Sequence, residues 1–433
     1  MTEFRWMAPI RVGFTSAPGI MDRAPEDYRD FWERVEGRTR HSSWTMHRAS
    51  PPEDARVGWS RADADTLQRP LEVASGRIDP ATVPELHGLT TTELSWQLFD
   101  HGVLLVEGRF RTSDEMGAAT LRDSEHWETA VQRAGRELTR RCATTDYSFL
   151  VQQMRHYADS DRYVRLEDRD LGEPLWVTRA LVLDPEDPRG ADLARRWVSG
   201  IDAEHRTTVE ELIDGRRPVL AQWMNHVHRS DRVDAVEHSW SALEKAQFFW
   251  SAMHWVDQSL REILAWTESD RGDHSVKELR HELRTVMAQA QELFMLRADV
   301  RQQVSRRTHE EMQRFLAFWE YDELLEGSVR EKVDICKERL TSLAEDRAAR
   351  SAMFTDIILM SIGVTSVLAT AIALVQFGRG AGQDPSQSVF DLGNGSITSW
   401  LSSQSMDAIL IISLLLSIVL VTVFIWKRRQ SVS

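Results

Sequence analysis

The chain has 433 residues, a formal net charge of −14, and a hydrophobic fraction of 42%. This length is enough for two or three domains, and the acidic balance argues against nucleic-acid binding, because phosphates attract basic surfaces. The only cysteines, Cys142 and Cys336, are too few for a disulfide framework or a thiolate metal site.

The N-terminal stretch is rich in proline, arginine and aspartate and carries scattered tryptophans. No long apolar period runs through residues 1–90, so the sequence predicts an irregular N-terminal segment with one short helix over Asp27–Val35. No apolar signal sequence opens the chain, and we expect the N-terminus to remain uncleaved.

A β-hairpin is the clearest signal in the next part of the chain. Two apolar runs within Glu93–Arg111 flank Asp100-His101-Gly102, a turn of the type that closes hairpins. Ser113 or Asp114 would cap a helix running towards Tyr157. The run Leu175–Leu183 (LWVTRALVL) predicts a buried strand. Residues 91–190 are therefore predicted to form an α/β domain with a small sheet.

Helical patterns dominate the middle of the chain. Ser241–Trp266 is apolar around most of its circumference, which predicts a helix buried on several sides. Val276–Trp319 has apolar residues at three- and four-residue steps, broken once near Arg297, which is typical of a coiled-coil seam. Residues 191–327 are predicted to be a helical domain, with Gly327 as a helix breaker.

Two apolar runs near the end of the chain are each about long enough to cross a bilayer, which needs roughly 20 apolar residues. They are Ile357–Phe377 and Ala408–Trp426, and neither contains Asp, Glu, Lys or Arg. The pattern predicts a stalk helix continuing into a first transmembrane helix over residues 328–377, and an outer loop over residues 378–407. A second span over residues 408–426 and a basic tail over residues 427–433 follow.

The predicted fold class is accordingly an α+β cytoplasmic head, a long helical hairpin, a stalk helix and a C-terminal two-helix transmembrane hairpin. Basic residues cluster before the first run and after the second, at Lys427, Arg428 and Arg429. The positive-inside rule then predicts both termini in the cytoplasm of a bacterium and the hairpin in its inner membrane.

This order of elements, over roughly residues 90–433, resembles the CorA-type magnesium channel superfamily. The resemblance implies a funnel-shaped homopentamer whose first span lines a cation pore. The chain departs from the family at the outer end of that span, where Phe377-Gly378-Arg379 replaces the Gly-Met-Asn filter motif. Five copies of Arg379 facing the axis would repel a divalent cation, so an altered selectivity is expected.

Six residues are predicted to line that pore, and they are Asp356, Ser361, Thr365, Ala369, Gln376 and Arg379. Their hydroxyl, amide and carboxylate groups would contact a hydrated ion. The alternative is that the small residues allow close helix packing and the hydroxyls bond back to their own helix.

Two further groups have side chains that suit Mg²⁺ or another divalent cation. His226, His228 and His238 lie with two aspartates in Asn225–His238, and imidazole with carboxylate can bind zinc. An acidic run holds Glu320, Asp322 and Glu323, whose repulsion between subunits a divalent cation would relieve. The alternative for both groups is a solvated helix face.

No nucleophile elbow, P-loop, dinucleotide fingerprint or zinc-protease motif is present, so no enzymatic activity is predicted. The first functional hypothesis is an oligomeric cation channel gated by its cytoplasmic head. The second is a membrane-anchored sensor or effector, of the defence or stress type, whose cytoplasmic head binds a small ligand or a partner protein and whose hairpin anchors the chain or permeabilises the membrane. Expected partners are the lipid bilayer, further copies of the chain, and that ligand or protein.

Overall fold

The structure, a computed structural model, describes most of the first 381 residues and scattered positions after them. The described residues are 2–16, 25–38, 42–47, 71–112, 124–157, 160–166, 171–187, 189–198, 203–221, 223–268, 276–302, 304–381, and single positions between 405 and 418. Contacts divide the chain into two units, Met1–Lys337 and Glu338–Ser433.

The described strands number eleven. They are β1 (Glu3–Arg11), β2 (Phe14–Ser16), β3 (Gly37–Arg38), β4 (Ser42–Met46), β5 (Glu72–Ile78), β6 (Leu89–Phe99), β7 (Val103–Thr112), β8 (Val164–Leu166), β9 (Thr178–Leu183), β10 (Val219–Leu220) and β11 (Asn225–Arg229). Nine of them form one sheet in the order β10-β11-β9-β1-β7-β6-β5-β4-β3, and β2 pairs with β8. All neighbours are antiparallel except β9 and β11, which run parallel.

Ten α-helices are described, and those over Ser124–Cys142 and Val233–Glu268 pack on opposite faces of this sheet. The ten are α1 (Pro25–Val35), α2 (Ser124–Cys142), α3 (Ser148–His156), α4 (Ser160–Tyr163), α5 (Gly190–Trp197), α6 (Ala203–Ile213), α7 (Val233–Glu268), α8 (Val276–Asp299), α9 (Arg306–Phe318) and α10 (Ser328–Ala381). A π-helical turn, Ala143–Tyr147, joins α2 to α3, and another, Asp322–Gly327, precedes α10. The protein is thus α+β, with a larger sheet than the small one predicted.

The two faces of the sheet differ in chemistry, and β1 shows how the sequence produces this difference. Successive strand residues point to opposite faces. Phe4, Trp6, Ala8 and Ile10 are fully buried in the main apolar core, on the side where α2 packs. The intervening Arg5 faces α7 and bonds there to Glu237. One face is therefore an apolar core, and the other carries a polar layer beneath α7.

Several predicted elements are confirmed. The hairpin is β6 and β7, joined by a short turn at Asp100–Gly102, where Gly102 has a φ of 76° and its Cα lies beside the Val12 carbonyl. A Cβ at that position would lie 2.4 Å from the carbonyl oxygen, so only glycine fits. The predicted strand Leu175–Leu183 is β9, and the short N-terminal helix is α1.

The helical predictions are confirmed as well. The buried helix is α7, and the seam over Val276–Trp319 is α8 and α9 with a 3₁₀ turn, Val300–Gln302, at the predicted break. The helix beginning at Ser328 continues without interruption to Ala381.

The N-terminal prediction missed the centre of the sheet. We expected residues 1–90 to be irregular, but β1 lies between β7 and β9, and β4 and β5 extend the same sheet. The β1 sequence, EFRWMAPIR, mixes charges and a proline with apolar residues, which hid its period-two pattern. The large sheet also runs past residue 190 into β10 and β11, so one compact unit covers the predicted α/β and helical domains.

The predicted membrane hairpin must be corrected. Among the residues that the structure describes, no helix combines the length and the apolar character needed to cross a bilayer, for which about 20 apolar residues are required. The first predicted span, Ile357–Phe377, lies within α10, and most of the second, Ala408–Trp426, lies outside the described residues. The transmembrane hairpin, the CorA-like funnel built on it and the inner-membrane location are therefore withdrawn.

A close contact between Gly76 of β5 and Trp96 of β6 provides a test of the packing. A Cβ on Gly76 would lie 2.2 Å from the Trp96 ring, which is buried in the apolar core and has little room to move. We expect Gly76→Ala to lower the free energy of unfolding by about 2 kcal/mol, measured by urea denaturation. Gly172→Ala is the matched control, because no atom lies within 4 Å of its added Cβ. Equal stability of the two variants would contradict this packing.

Candidate functional site

All six predicted pore-lining residues fall on α10. They are Asp356, Ser361, Thr365, Ala369, Gln376 and Arg379. The side chains of Ala369 and Gln376 are exposed, and those of the other four lie outside the described part of the chain. Pore lining requires a helix that spans a membrane. The pore-lining role of these residues is therefore not retained, because it depended on the withdrawn transmembrane hairpin.

The acidic run beside α10 is largely neutralised by arginines of the same unit. The Arg297 guanidinium pairs with Asp322 and, at 2.8 Å, with Glu326, and it lies 4.8 Å from the centre of the Tyr321 ring. Arg330 also pairs with Glu326 at 2.8 Å. These contacts join α8 to the turn before α10 and give the run a structural role. Only Glu320 and Glu323 remain exposed without an ion pair among the described residues.

The predicted histidine group separates into two parts. His226 and His228 lie on β11 and are buried, with 6.3 Å between their ring centroids. His238 lies on α7, where its Nδ1 is 2.5 Å from the Asp234 carbonyl oxygen. Within the described residues, no three His, Cys, Asp or Glu side chains come together in a group that could hold a metal ion. A divalent site built from imidazole and carboxylate is therefore not formed.

The surroundings of the two buried imidazoles are mainly aromatic. His226 packs against Phe315 of α9, and His228 packs edge-on against Trp240 of α7 at 5.3 Å. Both ring nitrogens of His226, and Nδ1 of His228, are buried without a hydrogen-bond partner. Burial lowers the pKa of His226 to about 3. Burial, with the charges of His226, Arg5 and Arg109, also holds the pKa of His228 well below its ordinary value. Both rings are neutral at physiological pH.

Met224 stands next to this pair along the chain. The Arg179 amide of β9 donates to the Met224 carbonyl at 2.8 Å, so the β9–β11 pairing begins at Met224. Alternation along β11 then directs Met224, His226 and His228 to one face. The Met224 side chain is half-buried, and its sulfur accepts a weak bond from the Thr178 hydroxyl at 3.7 Å.

An aromatic surface lies at the same edge of the unit. We call Trp223, Trp250 and Phe318 the aromatic face: Trp223 stands at 88° to Trp250, with centroids 6.4 Å apart, and lies 5.9 Å from Phe318. Trp223 is 47% exposed and Phe318 is 42% exposed, whereas Trp250 is half-buried. Behind them, Trp319 and Tyr321 pack on Trp250 and fix its orientation.

The polar layer beneath α7 is held together by charge-assisted bonds. Arg5 donates two hydrogen bonds to Glu237, at 2.7 and 3.1 Å, and lies over the Trp240 ring at 4.4 Å. The Trp240 indole N–H donates to Glu107 at 2.6 Å, and Arg109 donates to Glu237 at 3.3 Å. Every one of these groups is partnered, so this part of the layer docks α7 on the sheet and leaves no group for a ligand.

A second part of the layer places two carboxylates around one ammonium group. Lys245 lies 3.3 Å from Glu72 and 3.5 Å from Glu244; Lys245 and Glu244 are buried, and Glu72 is partly buried. Burial raises the pKa of Glu244 to about 8, and Glu72 and Glu107 add to this effect against the attraction of Lys245. The pKa of Glu72 is lowered, because Lys245 and His47 outweigh the effect of its burial. One carboxylate is thus ionised against the lysine, while the other retains its proton.

Two features of this region escaped the sequence analysis. The alternating pattern Met-x-His-x-His at residues 224–228 was visible, but without β11 it could not be read as one face of a strand. Trp223 and Phe318 lie 95 positions apart in the chain and meet only because α9 returns alongside α7. Tryptophan and phenylalanine at such spacing carry no sequence signal for a shared surface.

No protein-family model, curated protein or solved structure matches this chain. The resemblance to CorA-type channels therefore stays a prediction that no comparison supports, and the function must be argued from the described side chains alone.

Proposed function

We propose that the protein is a sensor or effector whose Met1–Lys337 unit binds a positively charged segment of a partner protein at the aromatic face. The observation that carries this proposal is the pair of exposed rings, Trp223 and Phe318, with the exposed Glu320 two residues after Phe318 in the chain. Proteins bury most of their aromatic side chains. Neighbouring exposed rings with acidic residues at their edge are therefore typical of recognition sites.

Charge selects the partner. Lysine and arginine side chains are attracted to the faces of indole and phenyl rings, each contact contributing on the order of 1 kcal/mol. Glu320 follows Phe318 by two residues, is held at a φ of 51°, and has no ion pair among the described residues. Glu323 is exposed on the following turn. The overall charge of −14 further favours the approach of a basic segment.

The cation-channel hypothesis is not carried forward, because it requires the withdrawn membrane hairpin. Self-association through α10 stays a prediction. The proposed binding role needs neither of these, since every residue that it uses lies in the first unit.

Binding of an arginine-rich peptide to the full chain, measured by isothermal titration calorimetry, tests the proposal. We expect Trp223→Ala and Phe318→Ala each to weaken binding about tenfold, as truncation of an aromatic anchor does, and Glu320→Gln to weaken it less and to reduce its salt dependence. An acidic peptide of equal length should not bind.

Phe149→Ala is the matched control, because Phe149 is also exposed, at 36%, but packs on Trp44 away from the aromatic face. Equal loss of affinity in this control and in Trp223→Ala would show that the effect is not specific to the aromatic face. Unchanged affinity in both Trp223→Ala and Phe318→Ala would overturn the proposal.

A further inference from the structure

We propose that Met224, His226 and His228 form a binding site for one soft monovalent metal ion, with copper(I) as the biological example. The site lies on the α7 side of β11, and no partner protein or membrane is needed to complete it. It differs from the histidine and carboxylate site predicted from sequence in its ligands and in the metal that it selects.

The first argument is geometric. An ion bonded at about 2 Å to one nitrogen of each of two imidazoles that face each other holds the ring centroids about 6 Å apart. The His226 and His228 centroids are 6.3 Å apart. The rings are thus too far apart to hydrogen-bond to each other and at the separation that a bridging ion requires.

The second argument is the state of the imidazole nitrogens. Three of the four are buried without a hydrogen-bond partner, and both nitrogens of His226 are among them. Buried polar atoms without partners are uncommon and call for an explanation such as an ion.

The third argument concerns the kind of metal. Structural zinc sites use four ligands, commonly thiolate or imidazole, and hard divalent ions need oxygen ligands. No carboxylate or thiolate joins His226 and His228 among the described residues. A thioether with two imidazoles instead suits a soft ion of low coordination number, such as Cu(I).

Met224 connects the buried imidazoles to the surface. Its neighbour Trp223 is exposed, and Met224 itself is half-buried, while His226 is fully buried. The methionine side chain has three rotatable bonds, and the hydrogen bond of its sulfur to Thr178 is weak, so the sulfur can turn towards His226. The Met224 sulfur would be the ligand nearest the protein surface and the first that an entering ion meets.

The test is titration of the full chain with Cu(I) under ascorbate and without oxygen, in competition with a chromogenic Cu(I) chelator. We expect one equivalent to bind, and Zn²⁺ to bind at least a hundredfold more weakly. X-ray absorption of the complex should show two nitrogen neighbours and one sulfur neighbour.

Variants separate the proposed ligands from other groups. Met224→Leu conserves volume and should fold normally while weakening Cu(I) binding at least tenfold, since loss of an outer-shell partner alone costs about 10–100-fold. His226→Gln should weaken it further. Met295→Leu, at a methionine 61% exposed on α8, and Cys336→Ala should leave affinity unchanged.

Any of three results would overturn the site. One is Cu(I) affinity unchanged in Met224→Leu and His226→Gln, which would assign the metal to other residues. Another is Zn²⁺ binding as tightly as Cu(I), with the same loss in both variants. Absence of any Cu(I) binding to the folded wild-type chain would equally reject the proposal.

Discussion

Replacing Asp257 by alanine is expected to lower the free energy of unfolding by about 3 kcal/mol. The Asp257 carboxylate is only 1% exposed and accepts hydrogen bonds from Arg261 at 2.8 Å, from Ser328 at 3.3 Å and from Lys332. It therefore ties the middle of α7 to the first turns of α10. Without it, the Lys332 ammonium loses the carboxylate that balances its charge in a site that is only 21% exposed.

The measurement is urea denaturation of the full chain, and Asp334→Ala is its matched control. Asp334 pairs with Lys337 on the same helix at 3.2 Å, but it is 78% exposed, so its loss should cost less than about 0.5 kcal/mol. A difference of less than about 1 kcal/mol between the two variants would mean that the Asp257 cluster contributes little.

The pH dependence of this cluster has a definite sign. Burial alone would raise the pKa of Asp257, but Lys332 and Arg261 outweigh it and hold the pKa below the ordinary value of 3.8. The folded state thus favours the ionised carboxylate. The stabilisation is complete above pH 3.8 and is lost as the pH falls through the lower, folded pKa.

Elements whose sequence signals lie in neighbouring residues were predicted, whereas a strand that depends on distant partners was missed. Turn residues and helical periods are visible within short stretches of sequence. They predicted the hairpin of β6 and β7, the break near Arg297 and the long helices. β1 was missed because its partners β7 and β9 lie about 100 and 170 positions away, and a central strand with alternating charges looks irregular by itself. β1 is a strand because it pairs with distant strands, and local sequence does not encode that pairing.

The candidate sites show the same limit. His226 and His228 were singled out from their residue types, but their burial and lack of carboxylate partners depend on α7 and α9 covering β11. The acidic run at Glu320–Glu326 looked like a cation site until the distant Arg297 was seen to pair with it. A residue type shows what a side chain is able to bind, whereas the fold determines which group it contacts.

The buried pair of Glu72 and Glu244 around Lys245 gives the protein a second pH dependence, opposite in sign to that of Asp257. The pKa of Glu244 rises from an ordinary 4.5 to about 8 in the folded state. Between these values the folded chain holds a proton that the unfolded chain has released. Stability therefore falls as the pH rises from 4.5 to 8, at up to roughly 1.4 kcal/mol per pH unit.

Glu244→Gln should remove this decline, because glutamine keeps the shape of the protonated acid and does not titrate. We expect the variant and the wild type to have similar free energies of unfolding near pH 5 and the variant to be more stable by about 2 kcal/mol or more at pH 8. Lys245 keeps Glu72 as its ion-pair partner, so the substitution leaves no unpaired charge. Glu262→Gln, at an exposed position of the same helix, should follow the wild-type curve. If Glu244→Gln instead runs parallel to the wild type from pH 5 to pH 8, then Glu244 is ionised in the folded protein, and one lysine balances both carboxylates.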